Sequence, residues 1–148
     1  MYVTVFSILV KNDYKHFASS YLLSDEGKQI LSLLVDGYND SSIALNCGIM
    51  LRETIMQRCI HEYFLDNPEV IKPIFTKHAH SSTFEITSDA ISTIQYLLRQ
   101  NKQLVSKKMN ANGPLYKVVF EWYGALISSE EYVTRRMSLQ VRLGDYLD

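Results

Sequence analysis

The stretch "SSIALNCGIMLRE", residues 41–53, decides how the chain folds. It begins with two serines that can cap a helix, and then presents apolar or very small residues on almost every side. A helix without a polar face lies either in a membrane or between other helices. No apolar run in this sequence reaches the length that crosses a bilayer, so we expect no membrane association. The stretch therefore predicts a helix packed between other helices.

Length and composition narrow the class of protein. A chain of 148 residues is long enough for one domain with its own core. A net charge of −1 argues against a nucleic-acid-binding protein, which normally carries a basic excess. The N-terminus has no basic region and no cleavage site of a signal peptide. Two cysteines are too few for a disulfide framework, so we expect a reduced, cytoplasmic protein.

Helix boundaries can be read along most of the chain. Ser24 and Gly37 bound one helix, and a second starts after the serines at 41–42 and extends to about Gln57. Asn67 and Pro68 are typical of the N-cap and first position of a further helix.

Two pairs predict capping boxes, Ser82 with Glu85 and Ser128 with Glu131. Residues 110–114, "NANGP", form the clearest break. The alternation in "YVTVFSIL", residues 2–9, is compatible with a strand or a helix.

A repeat relates three of these helices. Aligning Ile43 with Phe84 and Tyr132 gives separations of 41 and 48 residues, close to the period of armadillo and HEAT repeats. The sequence thus predicts an all-α, armadillo/HEAT-like solenoid in a single domain, with repeats at roughly 1–57, 58–100 and 101–148. In such a solenoid one helix of each repeat is covered by its own unit and by both neighbours, which explains the missing polar face of residues 41–53.

Three segments, "IALNCGIMLRE", "STFEITSDA" and "EEYVTRRMSL", resemble in order and spacing the calcium-binding protein 39 family, also called mouse protein 25-like scaffolds. The resemblance covers most of the chain. It implies an armadillo-like horseshoe without catalytic activity. It also implies partners: the STRAD pseudokinase and germinal-centre-type kinases, which the family holds in an active-like conformation against a concave surface.

The resemblance also implies contact residues on that surface. In this sequence they are Phe84, in the segment "STFEITSDA", and Arg136, in the segment "EEYVTRRMSL". Tyr132 begins the "YVTRR" motif that contains Arg136, and Arg135 stands beside Arg136. Paired arginines suit carboxylates of a partner because the guanidinium binds them as a fork. The pattern alone leaves two other interpretations open: Phe84 is a core residue, and the arginines are a solvated pair.

The sequence departs from the family in length and in one segment. Family members are more than twice as long, so we expect the pocket that captures a C-terminal peptide to be absent here. Residues 54–80 have diverged, which bears on the choice of partner. A solenoid without capping repeats exposes apolar faces, so we expect self-association. A truncated paralogue that is inactive, or that competes with longer scaffolds, is a further alternative.

The remaining alternative is a small cysteine hydrolase that uses Cys59 and one of the four histidines. Cys47 is a poorer nucleophile, since a thiol in an apolar helix stays protonated. The "HAH" of residues 78–80, with Cys59 and His61, matches no zinc signature. The sequence has no phosphate-binding glycine loop and no EF-hand loop. We therefore expect no metal, no calcium and no cofactor.

Overall fold

The computed structural model describes residues 2–13, 16–109 and 114–140, and every regular element within them is helical. The all-α prediction is confirmed. The α-helices are α1 (Tyr2–Lys11), α2 (Phe17–Leu22), α3 (Asp25–Asp36), α4 (Ala44–Ile55), α5 (Arg58–Asp66), α6 (Pro68–Thr76), α7 (Phe84–Arg99), α8 (Lys102–Lys108), α9 (Pro114–Ile127) and α10 (Tyr132–Ser138). Short 3-10 turns occupy Gly37–Asn39 and His78–His80.

Several helix ends follow the local signals in the sequence. The Ser24 hydroxyl accepts a hydrogen bond from the backbone N–H of Gly27 at 3.1 Å, which caps α3. Gly37 ends the same helix. Pro68 occupies the first position of α6, where its missing N–H is not needed. These three predictions are confirmed.

Both predicted capping boxes are wrong. Thr83 and Glu131 are the N-cap residues of α7 and α10, and neither helix has a side-chain cap hydrogen bond. The serines 41–42 do not cap α4 either, because Ile43 is its N-cap and the Ser42 hydroxyl donates to Asp40 instead. Residues 2–9 are helical throughout, since α1 packs on α4. Most of the predicted break, residues 110–113, lies outside the described residues.

The helices pack in rows. Helices α1, α4, α7 and α10 contact one another in that order. We call them the third-helix row, because every third helix of the chain belongs to it. A second row contains α3, α6 and α9. A further row contains α2, α5 and α8, in which α5 contacts the other two. This is the arrangement of a helical-repeat solenoid, as predicted. The exact division into repeats at residues 57 and 100 stays a prediction.

The core runs between the rows as one continuous cluster. Phe64 and Ile91 are fully buried, and the rings of Phe75 and Trp122 pack at 5.2 Å between centroids. None of the described helices is both long and apolar enough to span a membrane.

Helix α4 is covered on fewer sides than the sequence predicts. Its residues Ala44, Cys47 and Leu51 are buried against α3 and α7, as a packed helix requires. Leu45 and Ile49, one turn apart, remain 43% and 39% exposed. The expectation that neighbours cover the whole helix is therefore wrong for one face, because the third-helix row leaves a surface that no other row covers.

Candidate protein-binding surface

Large apolar residues stand exposed where three neighbouring helices begin. Ile43, Phe84 and Tyr132 lie at the starts of α4, α7 and α10 and are 45%, 60% and 61% exposed. We call them the helix-start strip. The exposure of Phe84 excludes the interpretation that it is a core residue. Exposed apolar side chains that recur at equivalent places of a repeat form a typical surface for a protein partner.

Two of the candidate contact residues are organised as a pair. The Arg136 guanidinium donates a 3.2 Å hydrogen bond to the Tyr132 hydroxyl, one helical turn away, and lies 5.9 Å from the centroid of its ring. Arg135 points elsewhere, since its Nη1 donates to the carbonyl of Ser129 at 3.5 Å. Both arginines are exposed. The structure thus brings Arg136 and Tyr132 together and separates Arg135 from them.

The position of α10 is fixed by two hydrogen bonds to the backbone. The Thr134 hydroxyl donates to the carbonyl of Ala79 at 2.8 Å and is buried. The Tyr123 hydroxyl on α9 donates to the carbonyl of Ser138 at 3.1 Å. The exposed side chains of α10 therefore have a defined place relative to the turn that precedes α7.

A polar network joins α4 to α7. Arg52 donates from Nη2 to Oδ1 of Asp89 at 2.7 Å and from Nη1 to the Thr93 hydroxyl at 2.6 Å. The hydroxyl of Tyr38 donates to Oδ2 of Asp89 at 2.7 Å and lies 2.9 Å from the Thr93 hydroxyl. Burial, followed by the charge of Asp89, raises the pKa of Tyr38 well above its usual value, so the phenol remains a donor.

Gly48 makes room for this network. A Cβ at this position would overlap the Asp89 carboxylate and the Tyr38 hydroxyl. Polar side chains of α7 and of the turn before α4 therefore occupy the place that a side chain at Gly48 would take.

This network was not predicted from the sequence. Its signal is a charged residue within an apolar stripe: Asp89 lies one turn before Thr93 on the buried side of α7. Arg52 lies one turn after Gly48 on α4. Their pairing joins residues 37 apart in the chain, which a local pattern does not indicate.

Three of the four histidines contact other elements of the solenoid. Nε2 of His61 lies 2.7 Å from the carbonyl of Leu97 in the core. The ring of His78 stacks on Tyr38 at 5.2 Å. Nδ1 of His80 lies 3.4 Å from the Ser129 hydroxyl. Among the described residues there is no group of three or more His, Cys, Asp or Glu side chains placed to hold a metal ion.

The two cysteines differ in environment. Burial, together with the charge of Asp40, raises the pKa of the Cys47 thiol, which disfavours its nucleophilic form. Cys59 is exposed beside an open groove that it shares with His16. His61 is turned away from it into the core. The histidine nearest in sequence is thus not placed to activate Cys59.

A second exposed apolar area covers the first two helices. It comprises Tyr2, Val5, Ile8, Leu9 and Phe17, all more than half exposed. Apolar area of this kind favours association in solution. Self-association stays a prediction.

Comparison with known proteins places this arrangement in context. The model of the Mo25-like family matches residues 1–147. Human "Calcium-binding protein 39-like" is 41% identical over 118 residues, which cover 80% of this chain and 33% of the human protein. The "Mo25-like protein" of Schizosaccharomyces pombe is 31% identical over 146 residues, covering 97% of this chain and 42% of that protein. The matched part of the chain thus spans about a third of the length of the human protein and 42% of the length of the Schizosaccharomyces pombe protein.

Proposed function

Because the chain belongs to the Mo25-like family, we propose that it is a non-catalytic scaffold that binds a protein kinase or pseudokinase domain and favours its active conformation. The partner is a STRAD-like pseudokinase or a germinal-centre-type kinase, met in the cytoplasm. The third-helix row supplies the binding face.

The helix-start strip is the observation that carries this proposal. Ile43, Phe84 and Tyr132 are exposed on three consecutive helices of one row. Aromatic residues and arginine are enriched among the side chains that dominate protein interfaces. Arg136 is already held over Tyr132, so less side-chain freedom is lost when it binds a carboxylate of the partner.

Rigidity of the row supports a role in holding a partner's conformation. A scaffold shifts a kinase towards its active form only by binding that form more tightly than the inactive one. A surface with fixed spacing discriminates between two conformations better than a deformable one. The network of Arg52 and Asp89 provides this fixed spacing between α4 and α7.

Binding and activation are measured together to test the proposal. The chain is titrated against a STRAD-like pseudokinase domain and a germinal-centre-type kinase domain, with a kinase domain of an unrelated class as control. We expect saturable binding to one of the first two and none to the control. For the kinase domain we also expect a higher catalytic rate in the bound state. Equal binding to all three domains, or to none, would contradict the proposal.

A further inference from the structure

One side of helix α1 is left uncovered by the described residues. Helices α4 and α7 each pack between two other helices of the third-helix row, whereas α1 is the first helix of this row and packs on α4. Tyr2, Val5 and Leu9, spaced three and four residues apart, share one side of α1 and are all more than half exposed.

An ion pair shows which side of α1 faces the row. Nζ of Lys11 lies 2.9 Å from Oε1 of Glu53 on α4. At the usual 3.6 residues per turn, Lys11 lies about 160° around the helix axis from Leu9 and about 180° from Tyr2. The exposed apolar side chains therefore point away from α4, on the side where a further helix of the row would pack.

The exposed apolar surface continues onto helix α2, which contacts α1. Phe17 and Tyr21, four residues apart, share one side of α2. We call the exposed apolar area of the two helices the end face. It comprises their large apolar residues that are more than half exposed: Tyr2, Val5, Ile8, Leu9, Phe17 and Tyr21.

The end face is large enough for a stable dimer. Tyr2 and Phe17 are more than four-fifths exposed and Tyr21 about half, so at roughly 200 Å² for a whole aromatic side chain they present about 400 Å². The three aliphatic side chains add roughly 200 Å². Stable, specific interfaces bury about 600–1,000 Å² on each partner. The end face therefore reaches this range before any polar rim is counted.

The absence of charge makes the end face complementary to itself. Residues 2–10 and 17–22 contain no Asp, Glu, Lys or Arg. In a two-fold dimer a surface meets its own copy, so an uncharged face avoids repulsion between like charges. The other end of the row differs, because Arg135 and Arg136 of α10 are exposed. The end face thus suits a second end face better than it suits α10 of another copy.

We propose that the end face binds the end face of a second copy of this chain, in a closed two-fold dimer. The two α1 helices pack against each other, so that the third-helix row of one copy continues into that of the other. The helix-start strip lies on α4, α7 and α10, outside the end face. The inference therefore does not rest on the proposed function.

Sedimentation equilibrium of the chain by itself, from about 1 to 100 µM, tests the proposal. We expect a reversible equilibrium between monomer and dimer that ends at twice the mass of the chain. A monomer at every concentration would overturn the proposal. Species that keep growing with concentration would also overturn it, since head-to-tail stacking of α1 on α10 forms no closed dimer.

Three variants locate the interface. Leu9→Glu places a carboxylate on the end face, where dimerisation buries it without a counter-charge, so we expect the dissociation constant to rise at least about tenfold. Tyr2→Glu should act in the same way, at the first residue of α1, where a carboxylate favours the helix. Leu33→Glu is the matched control, because Leu33 on α3 is 64% exposed, against 61% for Leu9, and lies outside the end face.

The control variant should dimerise like the parent chain. Circular dichroism should be unchanged in all three variants, since each of these side chains is exposed in the monomer. Folded Leu9→Glu and Tyr2→Glu variants that dimerise as tightly as Leu33→Glu would show that the end face is not the interface.

Discussion

Nη2 of Arg52 on α4 lies 2.7 Å from Oδ1 of Asp89 on α7, and this ion pair joins two consecutive helices of the third-helix row. Both side chains keep only a fifth or less of their surface exposed, so the pair is largely withdrawn from water. Two further hydrogen bonds of the pair also reach α7 from α4 or from the turn before α4. Arg52 donates to the Thr93 hydroxyl on α7, and Tyr38, in the turn before α4, donates to Asp89 on α7. The network is therefore a device for fixing the spacing between repeats.

Removal of one partner of this pair should destabilise the fold strongly. Arg52→Ala leaves the Asp89 carboxylate largely buried without its counter-charge, and we expect a loss of about 2–3 kcal/mol in the free energy of unfolding. Lys72→Ala is the matched control: the ion pair of Lys72 with Glu69 is exposed, and such pairs contribute about 0.5 kcal/mol or less. Urea denaturation measures both values. Similar losses of stability for the two variants would contradict the special contribution of the Arg52–Asp89 pair.

Two glycines in helix interiors should respond in opposite ways to alanine. Gly48→Ala brings a methyl group into the Asp89 carboxylate, so we expect lower stability despite the better helix propensity of alanine. Gly124→Ala in α9 meets nothing within 4 Å, and we expect a gain of up to about 1 kcal/mol. Thermal unfolding of both variants gives the comparison. A stabilised Gly48→Ala would show that the space beside α4 is not required.

Stability should decrease in mild acid because of buried imidazoles. Burial lowers the pKa of His61, and those of His78 and His80 are lowered by the same cause. The unfolded chain therefore binds more protons below about pH 6.5, and the free energy of unfolding falls as the pH drops from about 7 to 5.

His61→Gln tests the contribution of one imidazole. The amide can still donate to the carbonyl of Leu97 but does not titrate. We expect a smaller decrease in stability with acid for this variant, measured by urea unfolding at several pH values. If the free energy of unfolding falls with acid as steeply in His61→Gln as in the parent chain, the buried His61 imidazole is not a cause of the decrease.

The two thiols should differ in reactivity with an alkylating reagent near neutral pH. Cys59 is exposed and should react in the folded protein no faster than in the denatured chain, while buried Cys47 should react only after unfolding. Mass spectrometry of the native and the denatured protein identifies the modified residue. Rapid, saturable alkylation of Cys59 in the native protein would instead favour the cysteine hydrolase alternative.

Much of the fold was predictable because its signals are local. The cap at Ser24 and Pro68 at the start of α6 depend on neighbouring residues only. The capping boxes failed for a related reason: Ser82 and Ser128 have the right spacing to a glutamate, but the helices begin later in the chain. Where a helix begins was decided by tertiary packing, which a four-residue pattern does not contain.

The candidate surface was only partly predictable. The period that relates Ile43, Phe84 and Tyr132 is visible in the sequence, and the structure exposes all three. The pairing of Arg136 with Tyr132 follows from helical spacing and could also have been found. The contacts of Asp89 with Arg52 and Tyr38 could not, because they join residues 37 and 51 apart that meet only through the stacking of repeats.

Affinity for the kinase or pseudokinase domain, measured on matched aromatic variants, tests the central claim most directly. Phe84→Ala removes an exposed aromatic side chain from the helix-start strip, whereas Phe17→Ala removes one from α2, outside the third-helix row. We expect Phe84→Ala to weaken binding about thirtyfold, the effect of losing roughly 2 kcal/mol at an interface hot spot, with unchanged circular dichroism. Phe17→Ala should bind like the parent chain. Equal affinity of both variants and the parent, with both variants folded, would contradict the claim that this row is the binding face.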